Sequence, residues 1–586
     1  MKTASWHAER HASHKGRSAS SFWEAKLGPF LGRHFVSLCL SLIGIACARI
    51  IATYNALSLT TDEPDDFASG LEYLTRHTYT YNIAHPPLSR LMQALGPYIA
   101  GARLPNLPIA ALHPLDLIAL TGHPERTIAL MRLGNLPFYI LACLVVCGLT
   151  WHAFGKPIAV LATCFYTLMP SPLADGGLAT TDLALAATVG AAIFAAILWA
   201  QNPTWLRALF MAMFTALACL SKFTALGYIP GCLGLALLFY LAVEWPGWGK
   251  LWSLATQRAL TFVVAAVAAI LLVWAGYGFT VGKFVTHRSG KVFILPAPGL
   301  FAGLQTSLAH NIGGHGSYLL GHFGRGGWWY YFPVALAVKT PIAILLLSAV
   351  GLFVCLKERL QPIYLMPVAL ILGIFLPALR SHIDIGIRHI EPIWIGLSVI
   401  SALGFRQFLQ WTRTGIASVF FGSALIAWLV LSVANHHPDY LAYFNGFAGS
   451  KPERILVDSN YDWGQDLRLL AGRLREQGVQ KVALAITEDA GYGPQAHYAY
   501  LEAWYGLPDA KQVNTCVPAP GWNVVSTTVE KSLSYWSGAR YYRGPGTPVE
   551  WYEKIDPTER IGPLLLFNIP QDSKLKSDNC DLTSVH

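Results

Sequence analysis

The sequence predicts a mainly α-helical, polytopic transmembrane bundle of about 11 spans, followed by an extracytoplasmic α/β domain. Three observations predict it. Of 586 residues, 54% are hydrophobic and only 13% charged, with a mean hydropathy of +0.42. A soluble domain spends about a quarter of its residues on Asp, Glu, Lys and Arg, so this chain has too few charges to cover a globule of its size. Apolar stretches long enough to approach a bilayer crossing recur from residue 35 to residue 434. Lysine and arginine fall in alternate connections, as they do in cytoplasmic loops. The net charge of +9 therefore reflects membrane topology; no dense basic stripe suits a nucleic acid.

Residues 1–34 are polar and basic and lack the short apolar core of a signal peptide, so the N-terminus is expected in the cytoplasm. The spans read as 35–56, 130–151, 157–173, 182–200, 207–221, 224–242, 259–279, 333–355, 362–379, 390–405 and 415–434. An odd count carries the C-terminus across, and Lys156, Arg207, Lys250, Arg258, Lys357, Arg359, Arg406 and Arg413 all fall on the inner side. Three long segments then gather outside: 57–129, 280–332 and 435–586. Connections this long usually carry function. In the tail, Ile455–Val457 reads as a strand, Asp466–Gln477 as an amphipathic helix, and Val482–Ile486, Trp522–Ser526 and Leu564–Phe567 as further strands. Eight of the ten cysteines precede residue 356, mostly in apolar runs where they act as small hydrophobes; Cys516 and Cys580 in the tail are expected to pair outside the cytoplasm, the alternative being two thiols.

Chemistry-bearing residues collect on the outer face. The first outer loop opens Thr60-Thr61-Asp62-Glu63-Pro64-Asp65-Asp66; carboxylates at a bilayer surface can take a proton from a hydroxyl or hold a divalent ion. Downstream, His85 sits before Pro86-Pro87, which fix its backbone as extended. Lys222, Lys339, Arg380, Arg388 and His389 lie at outer ends of spans, against the positive-inside bias, and so ask for an anionic partner. Asp182 either orients a substrate or caps the span that follows it. His310, His315 and His322 share a glycine-rich loop whose spacing fits a lid or acceptor loop better than a metal site. Gly282-Lys283-Phe284 lacks the rest of a phosphate-binding loop, and no G-x-G-x-x-G follows a strand, so nucleotide use is not expected.

Taken in order, Asp62-Glu63, Gly70-Leu71-Glu72-Tyr73-Leu74 and His85-Pro86-Pro87-Leu88 resemble the first outer loop of lipid-carrier-dependent glycosyltransferases of the C-type fold, which include protein O-mannosyltransferases and the aminoarabinose transferase of lipid A. Ala179-Thr180-Thr181-Asp182, Gly327-Trp328-Trp329-Tyr330-Tyr331-Phe332-Pro333, Lys339-Thr340-Pro341, Gly386-Ile387-Arg388-His389, His437 to Asn445 and Asp458 to Leu467 extend the resemblance through most of the chain after residue 56. Where many relatives have a histidine after the Asp-Glu pair, this sequence has Asp65 and Asp66, which leaves the acceptor and the local acid–base arrangement open.

The resemblance implies an inverting glycosyltransferase of a bacterial inner membrane. It would move a sugar from a polyprenyl-phosphate donor to a hydroxyl or phosphate on a lipid, glycan or protein acceptor at the outer face. Asp62 is then the general base and Glu63 its positioning partner. His85, Asp182, Lys222, Lys339, Arg380, Arg388 and His389 bind substrate, with Arg388 and Lys339 first among the phosphate ligands. Trp328 and Trp329 are candidates to stack on a sugar. No metal ligands or cofactor are assigned, and a divalent cation stays an open alternative. The rival readings are a lipid or sugar transporter and a noncatalytic scaffold displaying the tail.

Overall fold

The computed structural model describes residues 22–108, 111–412, 415–486, 494–514, 516–536 and 549–578. The basic stretch at residues 1–21, Arg413 and Cys580 lie outside them. Among the described residues, seven helices are long and apolar enough to cross a membrane: Phe35–Thr53, the continuous unit Pro124–Phe154, Asp182–Gln201, Ala225–Val243, Trp248–Gly276, Ile393–Trp411 and Gly415–Ala434. Two bent pairs raise the number to nine, and the shorter apolar helices Trp205–Ser221 and Pro362–Ala378 occupy the remaining two predicted positions. At 1.5 Å per residue, their 17 residues cover about 25 Å, less than the roughly 30 Å hydrocarbon layer.

Both bends correct the sequence reading. The stretch read as one span over 157–173 breaks into Lys156–Thr167 and Pro170–Gly176 at 64°, and that over 333–355 into Tyr331–Lys339 and Ile342–Lys357 at 115°. Pro170 and Pro341 supply the cause, because proline has no N–H for the helix ladder and forces its predecessor out of the helical region. Thr340 is accordingly extended, with ψ 133°. The second break turns the chain over just where Lys339 stands.

Asp182–Gln201 and Ile393–Trp411 form the bundle's centre, with 72% and 78% of their apolar windows buried, whereas Trp248–Gly276, at 11%, lies outside and exposes Leu260, Phe262, Val263 and Ile270. Ile342–Lys357 approaches Ile393–Trp411 so closely that a Cβ on Gly351 or Gly404 would collide with a backbone carbonyl of the other helix.

The three long segments meet on one face. Residues 57–129 fold into helices that include Glu63–Arg76 and Pro87–Ile99, held by Phe67, Leu71, Ala94, Ile118 and Met131 in a common core. Proline at the first or second position of both helices costs no hydrogen bond there. Residues 280–332 supply two antiparallel hairpins flanking the helix Pro298–Gly313.

The tail carries a five-stranded sheet: β1 (Lys481–Ala485), β2 (Asp509–Gln512), β3 (Gly521–Ser526), β4 (Glu559–Ile561) and β5 (Leu564–Ile569), in the order β2-β1-β3-β5-β4. β1 runs parallel to β2 and β3; β5 is antiparallel to β3 and β4. Alternate residues feed two cores. Val482, Leu484, Val524 and Leu566 face the helices Leu467–Glu476 and Pro494–Tyr505. Ala483, Val525, Leu565 and Phe567 face Trp551 and Tyr552. Ile455–Val457, expected as a strand, is not one. Its apolar side chains are spent against the bundle, and the Ile455 carbonyl accepts from Leu320 N–H at 3.0 Å before the chain enters a 3-10 turn at Asp458–Asn460. The tail is stitched to the bundle by Asn445, which donates to the Ala337 and Thr340 carbonyls at 2.6 Å each, and by a hydrogen bond from Ser58 N–H to the Gln465 carbonyl at 2.8 Å.

Candidate active site

The site forms where the first long loop, the central helices and the tail converge. Asp62 is the residue immediately before the helix Glu63–Arg76, and its side chain is 43% exposed. Arg388 comes from the short 3-10 helix Ile387–Ile390. Its Nη1 donates to Asp62 Oδ2 at 3.1 Å and to Asp182 Oδ2 at 3.2 Å. Its Nε donates to Ser459 Oγ at 3.0 Å, and its guanidinium lies 4.0 Å from the Trp463 ring centroid. The other Asp182 oxygen accepts from Lys222 Nζ at 2.5 Å. The result is a chain of alternating charge, Asp62–Arg388–Asp182–Lys222, buried at one end and open to solvent at the other. Buried charges persist only when paired, and here every member is.

Residues far apart in sequence are brought together for this purpose. Asp182 opens a span, Lys222 ends the helix Trp205–Ser221, Arg388 precedes the span from Ile393, and Ser459 and Trp463 belong to the tail. Gly386 leaves the space that Ser459 occupies, since a Cβ there would strike the Ser459 hydroxyl. Ser459 donates onward to the Ile385 carbonyl at 2.8 Å, and Asn460 Oδ1 accepts from Ile387 N–H at 2.9 Å. The tail thus fixes both the backbone and the side chain of Arg388.

His85 faces Lys222, Arg90, Asp182 and Arg388; burial first, then the surrounding cations, push its imidazole well below the usual histidine range, so it is neutral at physiological pH. Its carbonyl accepts from the Tyr79 hydroxyl at 2.7 Å, and Arg90 ties Tyr79 to Asp66, with Nη1–Oη at 3.0 Å and Nε–Oδ1 at 2.6 Å. His389 is likewise kept neutral by burial and by Lys222 and Arg388, and its Nε2 has no hydrogen-bond partner among the described residues. Asp65 accepts from the Tyr81 hydroxyl at 3.0 Å, and burial, with the negative charge of Asp62, raises its pKa.

Three expected site residues stand elsewhere. Glu63 turns away from Asp62 and is fully buried. Its oxygens accept from Arg132 Nε and Nη2 and from the Ala179 and Thr60 amides, all at 2.8 Å, which leaves nothing to offer a substrate. Lys339 does not reach Asp62. Its ammonium donates to the Leu441 carbonyl at 2.7 Å and the Asn460 carbonyl at 2.5 Å, 4.3 Å from the Phe444 ring centroid. The sharp turn at Pro341 aims it at the tail, and it reaches Arg388 only through Asn460. Arg380 follows the helix Pro362–Ala378 as an exposed side chain with no ion pair among the described residues.

Sequence reasoning assigned no role to Ser459, Asn460, Trp463 or Arg132. Arg132, an arginine inside an apolar run, carried a signal of its own, because an intramembrane charge implies a partner. In the glycine-rich loop, the His310 and His315 rings are 5.4 Å apart. Gly327, at φ +65°, lets the backbone close over Asp384, whose Oδ2 accepts from Trp328 N–H at 2.6 Å. Trp329 is 70% exposed. Among the described residues, no three His, Cys, Asp or Glu side chains converge to hold a metal ion.

No family model matches the sequence, and no curated protein does. Among solved structures, ArnT from Cupriavidus metallidurans bound to undecaprenyl phosphate is similar at 12% identity over 85% of this chain and 94% of that one, with a TM-score of 0.44. The apo oligosaccharyltransferase of Archaeoglobus fulgidus is similar at 13% identity over 86% and 71%, with a TM-score of 0.42.

Proposed function

We propose that this chain is an integral-membrane, inverting glycosyltransferase that moves a sugar from a polyprenyl-phosphate donor to an acceptor. The observation that carries the reading is the Asp62–Arg388–Asp182–Lys222 chain: a solvent-facing carboxylate next to buried cations, beside apolar spans. An isoprenoid tail has to stay in the bilayer, so its phosphate sits at the surface and needs cations there. Arg388 presents a planar fork and Lys222 a point charge, and both suit phosphate oxygens. A neutral His85 beside them can donate one hydrogen bond without adding charge.

Asp62 takes the proton of an acceptor hydroxyl while that oxygen attacks the anomeric carbon. The carbon–oxygen bond to phosphate breaks, and its electron pair leaves on the polyprenyl phosphate. Arg388 and Lys222 stabilise the charge that grows there, the term that usually contributes most to such steps. Attack from the side opposite the phosphate inverts the anomeric centre. Glu63 and Lys339 support this arrangement from outside: one pins the loop that carries Asp62, and the other pins the tail that grips Arg388.

The test supplies the purified protein with a panel of polyprenyl-phosphate sugars and follows sugar transfer or release together with free polyprenyl phosphate. Turnover in wild type, with losses in Asp62→Asn and Arg388→Ala, supports the assignment. Equal turnover in all three removes both residues from the mechanism, and sugar-lipid movement across vesicles without bond cleavage points to a transporter instead.

A further inference from the structure

A second recess opens beside Asp62, between the Thr60–Pro64 turn and the tail. Its walls include Thr60, Thr61, Trp463, His497, Trp504 and Tyr505. That mixed lining of aromatic and hydroxyl side chains suits a small-molecule site. We infer that this recess is the acceptor site and that it takes a neutral sugar ring, so that the acceptor is a saccharide or carries one at its reacting end. The inference rests on the transfer reaction proposed above.

Position is the first argument. Thr61 lines the recess and adjoins Asp62 in the chain, and Trp463 is a wall shared with the charged site, because its ring also packs against the Arg388 guanidinium. The Thr61 amide donates to the Trp463 carbonyl at 3.2 Å, which locks the two walls together. A ring held in the recess therefore lies against the chain neighbour of Asp62 and against the tryptophan that flanks its partner Arg388.

Wall chemistry is the second. Flat aromatic faces match the C–H face of a sugar ring, and they hold it at low conformational cost because their rings have few rotamers. Among the described residues, no charged side chain lines the recess, which disfavours a phosphorylated group or a charged peptide.

Two orphaned polar atoms are the third. His497 Nδ1 and Thr60 Oγ1 are buried there without a hydrogen-bond partner among the described residues. Such atoms are costly to leave unpaired, and a hydroxylated ligand satisfies both where a hydrocarbon chain cannot. Burial lowers the His497 pKa to about 4, so at neutral pH the imidazole offers one donor and one acceptor, as a ring hydroxyl requires.

The experiment titrates the full chain in detergent, with no donor present, using methyl glucoside, methyl mannoside, methyl N-acetylglucosaminide and their disaccharides, with ligand-observed saturation-transfer NMR as the readout. At least one glycoside is expected to bind, with Kd raised tenfold or more in Trp504→Leu, about fivefold in His497→Leu, and unchanged in Trp411→Ala, at the far end of the helix Ile393–Trp411. His497→Leu carries the test should Trp504→Leu fail to fold. Binding that survives both substitutions, or an uncharged peptide binding where every glycoside fails, overturns the assignment. The two readings fail separately. Glycoside binding without any donor consumption leaves the recess and removes the transferase, whereas donor hydrolysis without glycoside binding does the reverse.

Discussion

Asp62 and Glu63 are neighbours in sequence and opposites in structure. Successive residues of a helix point about 100° apart, and the helix begins at Glu63, so one carboxylate can face the loop interior while the other faces the charged groove. Glu63 is sealed: burial alone would raise its pKa, but Arg132 and two backbone amides outweigh it and hold the group below the usual glutamate range. Asp62 keeps one ion pair and substantial exposure. The buried pair is scaffold and the open one is available for chemistry. Residue type and spacing are shared; satisfaction of the oxygens is not.

The largest effect that sharpens this contrast is on folding. Arg132→Met strands a fully buried glutamate and is expected to cost about 3–5 kcal/mol, read as a lowered thermal midpoint in detergent. Adding Glu63→Leu to it should recover much of that loss, since an apolar pair leaves no buried charge. If the double variant is no more stable than the single, the pair is not a simple scaffold.

Next comes Arg388→Ala, which is expected to lower transfer by about 10²–10³-fold and to lower the thermal midpoint less than Arg132→Met does, because the buried Asp182 keeps Lys222 as a partner. Arg388→Lys should restore little of it, because a point charge cannot serve Asp62, Asp182 and Ser459 at once. Full rescue by lysine would mean that charge alone suffices.

The smallest effect concerns pH. Burial raises the Asp384 pKa to about 7, against the opposing Trp328 amide, while an unfolded aspartate titrates near 3.9. The folded chain therefore holds this proton more tightly, which contributes stability below about pH 4 that is lost as pH rises through 7. The thermal midpoint should fall modestly between pH 5 and 8 in wild type and less in Asp384→Asn. Equal slopes would remove Asp384 as the source.

Much of this was legible in the sequence. Apolar stretches found the helices, and charges at span ends singled out Lys222 and Arg388, which both pair with Asp182. What was not legible depends on where the chain turns. Lys339 carries the same charge as Arg388 and the same position at a span end, yet the bend at Pro341 spends it on the carbonyls of Leu441 and Asn460. Glu63 looks like the partner of Asp62 until Arg132, 69 residues on, claims both its oxygens. Ile455–Val457 has a strand's composition but packs on the bundle and a hairpin. Pairings over such separations leave no local pattern.

The most direct measurement compares Asp62→Asn with Glu63→Gln in one preparation, recording donor turnover and thermal midpoint for each. Asp62→Asn should lose about 10²–10⁴-fold in turnover with its midpoint unchanged, while Glu63→Gln should lose stability and keep its turnover where it remains folded. Turnover that survives in Asp62→Asn, or collapses in a folded Glu63→Gln, would contradict the division between the two carboxylates.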